Sequence, residues 1–205
     1  YKLPEAAPQA LGKPMVNLLP INQDEKIHTV MPMPLDKDAW KDLQIIFATK
    51  NGNIRRNQLN DFVNIRQNGK IAMKLHNDDE LVSVLPCNTT DNFFLATRLG
   101  KAIRCDINDV RIFVGRDSSG VRGIKLKPSD YVVSMSIVNP DIKQYVLSVT
   151  ENGFGKRTLV IDYRITNRGG QGVANIECSD RNGPVVSSYI VSSDDEIMLV
   201  TNVGK

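Results

Sequence analysis

The chain contains a sequence signature that returns about every fifty residues. The signature begins with glycine and ends with an aliphatic residue, and its copies are Gly12–Leu18, Gly69–Leu75, Gly120–Leu126 and Gly170–Ile176. The leading glycines are 57, 51 and 50 residues apart (69−12, 120−69 and 170−120). A second signature alternates with the first, at Ile46–Arg55 and Phe94–Ile103, with weaker copies at Leu147–Gly153 and Leu199–Lys205. Such a period indicates one supersecondary unit that is stacked or arranged in a ring, so the assembled surface is expected to carry the function.

Each unit has the pattern of short strands joined by tight turns. Gln44–Thr49 is rich in strand-forming residues and runs into Asn51-Gly52, which predicts a hairpin with a type I′ turn. Gly100 and Gly153 occupy the same point in the next two units. Further strands are predicted at Leu81–Leu85, Tyr131–Met135 and Val185–Tyr189. Four strands of average length fit into fifty residues, which predicts an all-β, propeller-like fold with one four-stranded blade per unit.

The composition of the 205 residues is that of an ordinary globular protein, with 41% hydrophobic and 24% charged residues. No apolar run approaches the ~18 residues that span a bilayer, and the start at Tyr1 shows no signal-peptide core. Cys87, Cys105 and Cys178 are far apart and have no CxxC spacing, which favours free thiols and a reducing, cytoplasmic location. Because the chain ends at Lys205 inside a repeat, we expect it to be part of a longer protein.

The sequence offers no catalytic pattern. Gly153–Thr158 resembles a phosphate-binding loop but lacks its first glycine, and Arg157 stands where a magnesium-binding Ser or Thr belongs. Asp78–Glu80 and Asp194–Glu196 both precede strands and are interpreted as solvated turns rather than cation sites. We therefore expect no catalytic residue, no metal site and no cofactor in this chain. A propeller-type enzyme would need converging carboxylates or histidines, which the sequence does not show.

Basic residues recur at fixed positions of the repeat. Residues 45–127 carry fourteen basic and eight acidic side chains, a local charge of +6, against +3 for the whole chain. If the units form a ring, equivalent positions lie on one rim, where they would bind the phosphates of duplex DNA without reading its bases. The alternative is a rim that is merely solvated, on a module that binds proteins. The predicted DNA-binding residues are Arg55, Arg56, Lys70, Lys74, Arg98, Lys101, Arg104, Arg122, Lys125, Lys156, Arg157 and Arg168.

Four segments resemble the C-terminal domain of the bacterial DNA gyrase A subunit: Gly12–Pro20, Phe47–Gly52, Gly120–Leu126 and Asn152–Thr158. The resemblance implies a β-pinwheel, a six-bladed disc whose neighbouring blades exchange strands, here with residues 1–205 as one domain of about four blades that is partial at both ends. It also implies that duplex DNA wraps around the basic rim, which presents a neighbouring DNA segment to the catalytic core in positive handedness and so supports ATP-dependent negative supercoiling. The implied partners are the B subunit of gyrase together with a second A subunit, while ATP and Mg²⁺ would act elsewhere in that enzyme.

The hallmark of this family is the heptapeptide Gln-Arg-Arg-Gly-Gly-Lys-Gly. Thr166–Gly172 matches it at Arg168, Gly169, Gly170 and Gly172 and departs from it at the other three positions. We interpret this segment as a degenerate copy. Because topoisomerase IV shares the fold with a decayed or absent heptapeptide, a domain of that enzyme remains an alternative, although Gly12–Pro20 favours gyrase.

Overall fold

The computed structural model describes residues 4–22, 25, 27–66, 69–76, 78–115 and 117–201. These residues form eleven β-strands and five 3-10 helices of three or four residues each, which confirms the all-β prediction. None of the helices in these ranges is long and apolar enough to cross a membrane. The strands are β1 Gln44–Thr49, β2 Asn53–Gln58, β3 Leu81–Cys87, β4 Asn92–Thr97, β5 Lys101–Asp106, β6 Val121–Arg122, β7 Val132–Val138, β8 Tyr145–Thr150, β9 Gly155–Leu159, β10 Val173–Ala174 and β11 Val185–Val191. The 3-10 helices are Met15–Asn17, Asp38–Lys41, Leu59–Phe62, Ile107–Asp109 and Val160–Asp162.

The strands form three antiparallel sheets that repeat one plan. The orders are β3-β1-β2-β6, β7-β4-β5-β10 and β11-β8-β9. In each sheet the next long strand of the chain lies beside the first strand of a hairpin. In the two four-stranded sheets the hairpin therefore occupies the middle, and in the third sheet β9 is an edge strand. β3 contacts β7, and β7 contacts β11, so these three strands lie side by side toward the centre. The opposite edges, which carry β6 and β10, therefore lie at the perimeter of the arrangement.

The hairpin turns carry glycine where the repeat predicts it, but their geometry is not type I′. Gly52, Gly100 and Gly153 have φ angles of 82°, 78° and 80°, and each amide donates to the carbonyl three residues earlier. A type I′ turn needs positive φ at both central residues. Asn51 has no positive φ, since Ser129 is the only such non-glycine residue in the described ranges. The predicted turn type is therefore wrong, and the turns fit the three-residue hairpin loop that ends in a left-handed glycine.

The two-residue strands β6 and β10 join the hairpin of the preceding unit, and we call them the exchange strands. β6 pairs with β2 through Asn53 and Ile54, and β10 pairs with β5 through Lys101 and Ala102. The glycine before each exchange strand has positive φ, and a Cβ there would lie 2.2 Å from the Ile54 oxygen or 2.3 Å from the Ala102 oxygen. Only glycine fits so close to a neighbouring backbone.

These contacts correct the register of the repeat. The glycine equivalent to Gly120 is Gly172, not the predicted Gly170, because Gly172 makes the same close approach to the preceding hairpin. The amides three and four residues later follow the same pattern, with Gly123 and Ile124 donating to one hairpin glycine, and Asn175 and Ile176 to the next. The structural spacing is therefore 52 residues (172−120) rather than 50.

Apolar layers hold the sheets together. Ile46, Leu95 and Ile124 belong to the cluster shared by the first and second sheets. Phe94 and Tyr163 belong to the cluster shared by the second and third sheets, where their rings meet edge to face with centroids 5.1 Å apart. Burial of such side chains removes apolar surface from water and is the main stabilising contribution to stacked sheets.

A third cluster closes the outer face of the first sheet. Phe47 and Met73 belong to its buried part, together with Ile45, Leu59 and Val84. Trp40 packs against this cluster and donates from its indole nitrogen to the Pro34 carbonyl. Trp40 is therefore a packing anchor for the segment before β1. Not all apolar residues of the glycine-led signatures are buried, since Ile71 and Leu75 are exposed. Met73 and Ile124 are the buried apolar side chains among the described residues of these signatures, and Leu126 is half-buried and packs against its cluster.

Candidate nucleic-acid interface

The twelve predicted basic residues do not share one surface. Arg55, Arg56 and Arg104 are buried, with 0%, 4% and 8% of their surface exposed. This differs from the exposed rim on which the sequence placed them. The other nine are exposed or half-buried. They divide by position into a perimeter group of four, the axial residue Arg98, two residues of β9 and two lysines of a glycine-led signature.

Arg55 ties the first sheet to the loop that follows β5. Its Nε donates to Asn57 Oδ1 at 2.9 Å, and its Nη1 donates to the carbonyl and the hydroxyl of Ser118. The guanidinium also lies over the Phe113 ring, 4.9 Å from the centroid, and Asn57 donates to the Phe113 carbonyl at 2.8 Å. Arg55 therefore joins two repeat units.

Arg56 and Arg104 are equivalent residues at the two successive junctions between units. Arg56 lies beside Ile112 and Arg104 beside Ile165, in isolated parallel bridges to the next unit. Arg56 Nη1 donates to Gln44 Oε1 and Asn108 Oδ1, and Arg104 Nε donates to Asn92 Oδ1. Burial lowers the pKa of both guanidinium groups from its ordinary value, because removal from water disfavours their charge. The charge recurs in the sequence because the junction recurs.

Arg157 occupies the same position in the third unit but is exposed, and its guanidinium lies 4.6 Å from the centroid of Tyr145. Lys156 beside it is also exposed. No exchange strand lies against β9 in the described part of the chain, and no next unit there covers Arg157. The difference between Arg157 and its two buried equivalents therefore follows from its neighbours, not from its own strand.

The perimeter group comprises Lys101, Arg122, Lys125 and Arg168. Arg122 lies on exchange strand β6, and Lys101 on β5 pairs with exchange strand β10. Arg168 Nη1 donates to the Arg122 carbonyl at 3.2 Å, and the Lys125 amide donates to the Gly170 carbonyl at 2.8 Å. The degenerate heptapeptide thus runs beside β6 and the segment that follows it, which brings Arg122, Lys125 and Arg168 to one edge, while Lys101 lies beside the next exchange strand. Arg122 and Lys125 are exposed, and Lys101 and Arg168 are half-buried.

Two predicted lysines lie in the second glycine-led signature, Gly69–Leu75. Lys70 is half-buried, and its Nζ donates to the Asp61 carbonyl. Lys74 has an exposed side chain, while its amide donates to the Ser118 carbonyl. Lys74 is equivalent to Lys125, so it presents its charge at the corresponding point of the preceding signature.

Arg98 belongs to an axial cluster near the central strands. It forms an ion pair with Glu151 at 3.0 Å and lies over the Tyr131 ring at 5.7 Å. Lys50, its equivalent in the first unit, pairs with Glu80 at 3.3 Å and lies over the same ring at 5.1 Å. The two basic side chains are balanced by two carboxylates, so this cluster contributes little net positive charge.

Sequence reasoning missed two basic residues that also recur. Arg111 and Arg164 are exposed and equivalent, each four residues after the buried apolar residue that begins a 3-10 helix. Arg111 lies over the Phe113 ring at 4.3 Å. The signal was present as Asp109-Val-Arg-Ile112 and Asp162-Tyr-Arg-Ile165, which match in order.

One acidic segment also differs from its prediction as a solvated turn. Asp79 is 7% exposed, and its Oδ1 accepts from the amides of Asn51 and Glu80. Asp130 accepts equivalently from Leu99 and Tyr131 at the next hairpin. These carboxylates hold the hairpin turns. Within the ranges that the structure describes, no group of three or more His, Cys, Asp or Glu residues is placed to hold a metal ion.

The family model of the DNA gyrase C-terminal domain, described as a beta-propeller, matches residues 44–88, 91–139 and 144–192. The chain belongs to this family. Each matched stretch spans one hairpin and the long strand beside its first strand, which is β3, β7 or β11. The family repeat therefore coincides with the three sheets.

Relatives of the same family align with the whole chain. The DNA gyrase A protein of Rickettsia bellii is 39% identical across 100% of this chain and 28% of its own length. That of Staphylococcus epidermidis is 37% identical across 100% of this chain and 22% of its own length. The chain therefore spans between a fifth and a third of the length of these relatives.

Two solved structures share the fold. A DNA gyrase A C-terminal domain superposes with a TM-score of 0.78 at 29% identity, over 94% of this chain and 62% of the other. The C-terminal domain of a DNA topoisomerase IV superposes with a TM-score of 0.82 at 26% identity, over 93% of this chain and 58% of the other. The propeller-like fold expected from the repeat is confirmed by these similarities and by the three sheets.

Proposed function

We propose that this chain binds duplex DNA along its perimeter and bends the DNA around that edge, as a non-catalytic part of a gyrase A-type protein. The observation that carries the proposal is the perimeter group, in which Arg122, Lys125 and Arg168 converge beside an exchange strand without an ion pair among the described residues. Phosphate binding needs accessible positive charge, and contacts of this kind carry no sequence information.

The family supports the DNA partner. In the whole protein, wrapping would present a DNA segment for strand passage and so support ATP-dependent negative supercoiling. The B subunit of gyrase, a second A subunit, ATP and Mg²⁺ would then act outside this chain, in the cytoplasm. We infer that residues 1–205 serve as one β-pinwheel domain in this role, with the strand-passage chemistry supplied by other parts of the enzyme.

The DNA-facing set is narrower than the one derived from sequence. Arg55, Arg56 and Arg104 spend their hydrogen bonds on junctions within the protein, so their replacement would weaken folding before it could report on DNA. Arg122 and Lys125 are therefore the residues to change, supported by Lys101 and Lys74, whereas Arg168 donates to the carbonyls of Asp109 and Arg122 and so also holds the protein together.

The test is the salt dependence of duplex binding by the 205-residue chain. Each phosphate contact releases condensed counterions, so the logarithm of the association constant should fall by ~0.9 per contact for each unit of log salt. Arg122→Ala with Lys125→Ala should weaken binding to every sequence alike and flatten the slope by up to about two units.

The matched control removes two positive charges from the axial cluster, with Lys50→Gln and Arg98→Gln. Because both charges are balanced by carboxylates and lie away from the perimeter, this variant should keep the slope of the unchanged chain. If both variants lost the same affinity and the same salt slope, DNA binding would depend only on the net charge of the chain. Binding that does not respond to salt would favour the alternative of a protein-binding module.

A further inference from the structure

A cleft of about 400 Å³ lies at the junction between the second and third sheets. Its walls come from the β7–β8 loop, residues 139–144, and from the 3-10 helix Val160–Asp162, and the buried Arg104 lines it. This volume falls within the ~300–1,000 Å³ of small-molecule sites. Arg104 lies on a different junction from the Arg122 and Lys125 pair, so the cleft is separate from the proposed DNA edge.

The guanidinium of Arg104 has one amino group left for a ligand. Nε donates to Asn92 Oδ1 at 2.9 Å, and Nη1 donates to the carbonyls of Val160 and Tyr163 at 3.2 and 3.4 Å. Among the described residues, none accepts a hydrogen bond from Nη2, and Arg104 lines the cleft. A charged donor on a residue only 8% exposed, opening on a cleft, is arranged for an anion.

The equivalent junction between the first and second sheets shows how such a cleft is closed. There Asn108 accepts from Arg56 Nη1 at 3.2 Å and donates to the Thr89 carbonyl at 2.7 Å, which ties the four-residue loop 88–91 against the arginine. At the second junction Ile161 replaces Asn108, and the loop 139–144 is two residues longer. The Ile161 side chain has no amide group, so it cannot link the arginine to the loop as the Asn108 side chain does.

The other residues that line the cleft indicate which kind of ligand it would bind. Lys143 and Asp141 add one charge of each sign, so with Arg104 the cleft has a net charge of +1. Val138 and Leu159 form apolar walls, and Ile142 and Ile161 stand at the opening with 56% and 79% of their surface exposed. An occupant with an apolar body would cover these two isoleucines, which a bare inorganic anion would leave in water.

We propose that this cleft binds a small carboxylate carried on an apolar body, with the carboxylate on Arg104 Nη2 and the apolar part against Ile142 and Ile161. The guanidinium supplies a charge-assisted hydrogen bond, and the loop and the 3-10 helix supply the apolar contact. The site is specific to this junction, because its equivalent is filled by Asn108.

The probes are benzoate, its neutral analogue benzamide, and inorganic phosphate, each titrated into the 205-residue chain. Binding is followed by NMR shifts of the Arg104 side-chain N–H and the amides of the 139–144 loop. Benzoate should saturate these shifts below about 10 mM. Benzamide, which fits the walls but lacks charge, should bind at least about tenfold more weakly. Inorganic phosphate should also bind more weakly, because it leaves the apolar walls uncovered.

The decisive variant rebuilds the closed junction. Ile161→Asn should place an amide against Arg104, as Asn108 stands against Arg56, and weaken benzoate binding at least about tenfold. Ile161→Val keeps an apolar wall and should retain binding, and the melting temperatures show that both variants are folded. The proposal is overturned if benzoate does not saturate, if benzamide or phosphate binds as well, or if Ile161→Asn binds like the unchanged chain.

Discussion

Replacing the hairpin glycine Gly100 by alanine tests strand exchange directly, and Gly153→Ala supplies its control. Both glycines end equivalent hairpin turns, with φ of 78° and 80°. A Cβ on Gly100 would lie 2.1 Å from the carbonyl oxygen of Ile176, which follows exchange strand β10 along the chain. A Cβ on Gly153 would meet nothing within 4 Å. The two changes share the backbone strain and differ in the clash.

The expected losses of unfolding free energy follow from these contacts. An alanine in the left-handed backbone region costs about 1–2 kcal/mol. Gly153→Ala should therefore lose only this much unfolding free energy, because its Cβ meets no other atom. At Gly100 the segment after β10 must also move away, which breaks the bonds that the Gly100 carbonyl accepts from Asn175 and Ile176 at 2.8 and 3.4 Å. Two hydrogen bonds contribute about 1–3 kcal/mol together, so Gly100→Ala should cost about 2–5 kcal/mol.

The assay is urea unfolding followed by circular dichroism, with amide hydrogen exchange of Asn175 as a local probe. Gly100→Ala should speed that exchange, and Gly153→Ala should not. If the two variants lose the same free energy within about 0.5 kcal/mol, strand exchange does not constrain the turn, and the reasoning fails.

Three further predictions concern the interior. Ile124→Ala should cost about 2–5 kcal/mol and exceed the loss for Leu126→Ala, since Ile124 is buried and Leu126 is half-buried; equal losses in urea unfolding would contradict this ranking. Burial raises the pKa of the Cys87 and Cys105 thiols to about 12, so a thiol reagent at pH ~8 should modify the half-buried Cys178 first, and faster labelling of Cys87 would contradict the packing. Because these two folded-state pKa values lie above 9.0, their contribution to stability is complete below about pH 9 and should be lost as the pH rises toward 12, as pH-dependent unfolding would show.

Local pattern was sufficient to predict the hairpins. Strand-forming residues at Gln44–Thr49 run directly into a glycine turn, and the strands predicted at 81–85, 131–135 and 185–189 coincide with β3, β7 and β11 to within one residue at their starts. These features depend on neighbours a few residues apart. The turn type was wrong because the same Asn-Gly pair suits both two-residue and three-residue loops.

The burial of Arg56 and Arg104 could not be predicted in the same way. Each is covered by a segment more than fifty residues away, at Ile112 and Ile165, which pairs with the arginine's own backbone. A recurring charge has the same appearance in sequence whether it lines a rim or a junction. The register at Gly172 was missed because three glycines fall within 169–172, and only the approach to Ala102 distinguishes among them.

The central claim is that the perimeter of this chain wraps duplex DNA, and the most direct measurement is a change in linking number. A nicked circular duplex is sealed by ligase in the presence of increasing amounts of the chain, the protein is removed, and the topoisomers are counted. A wrapping surface should shift their mean linking number in one direction in proportion to bound protein. The shift should be lost in Arg122→Ala with Lys125→Ala and kept in Lys50→Gln with Arg98→Gln. An unchanged linking number at saturating protein would contradict wrapping, and a shift that survives loss of Arg122 and Lys125 would contradict the perimeter as its surface.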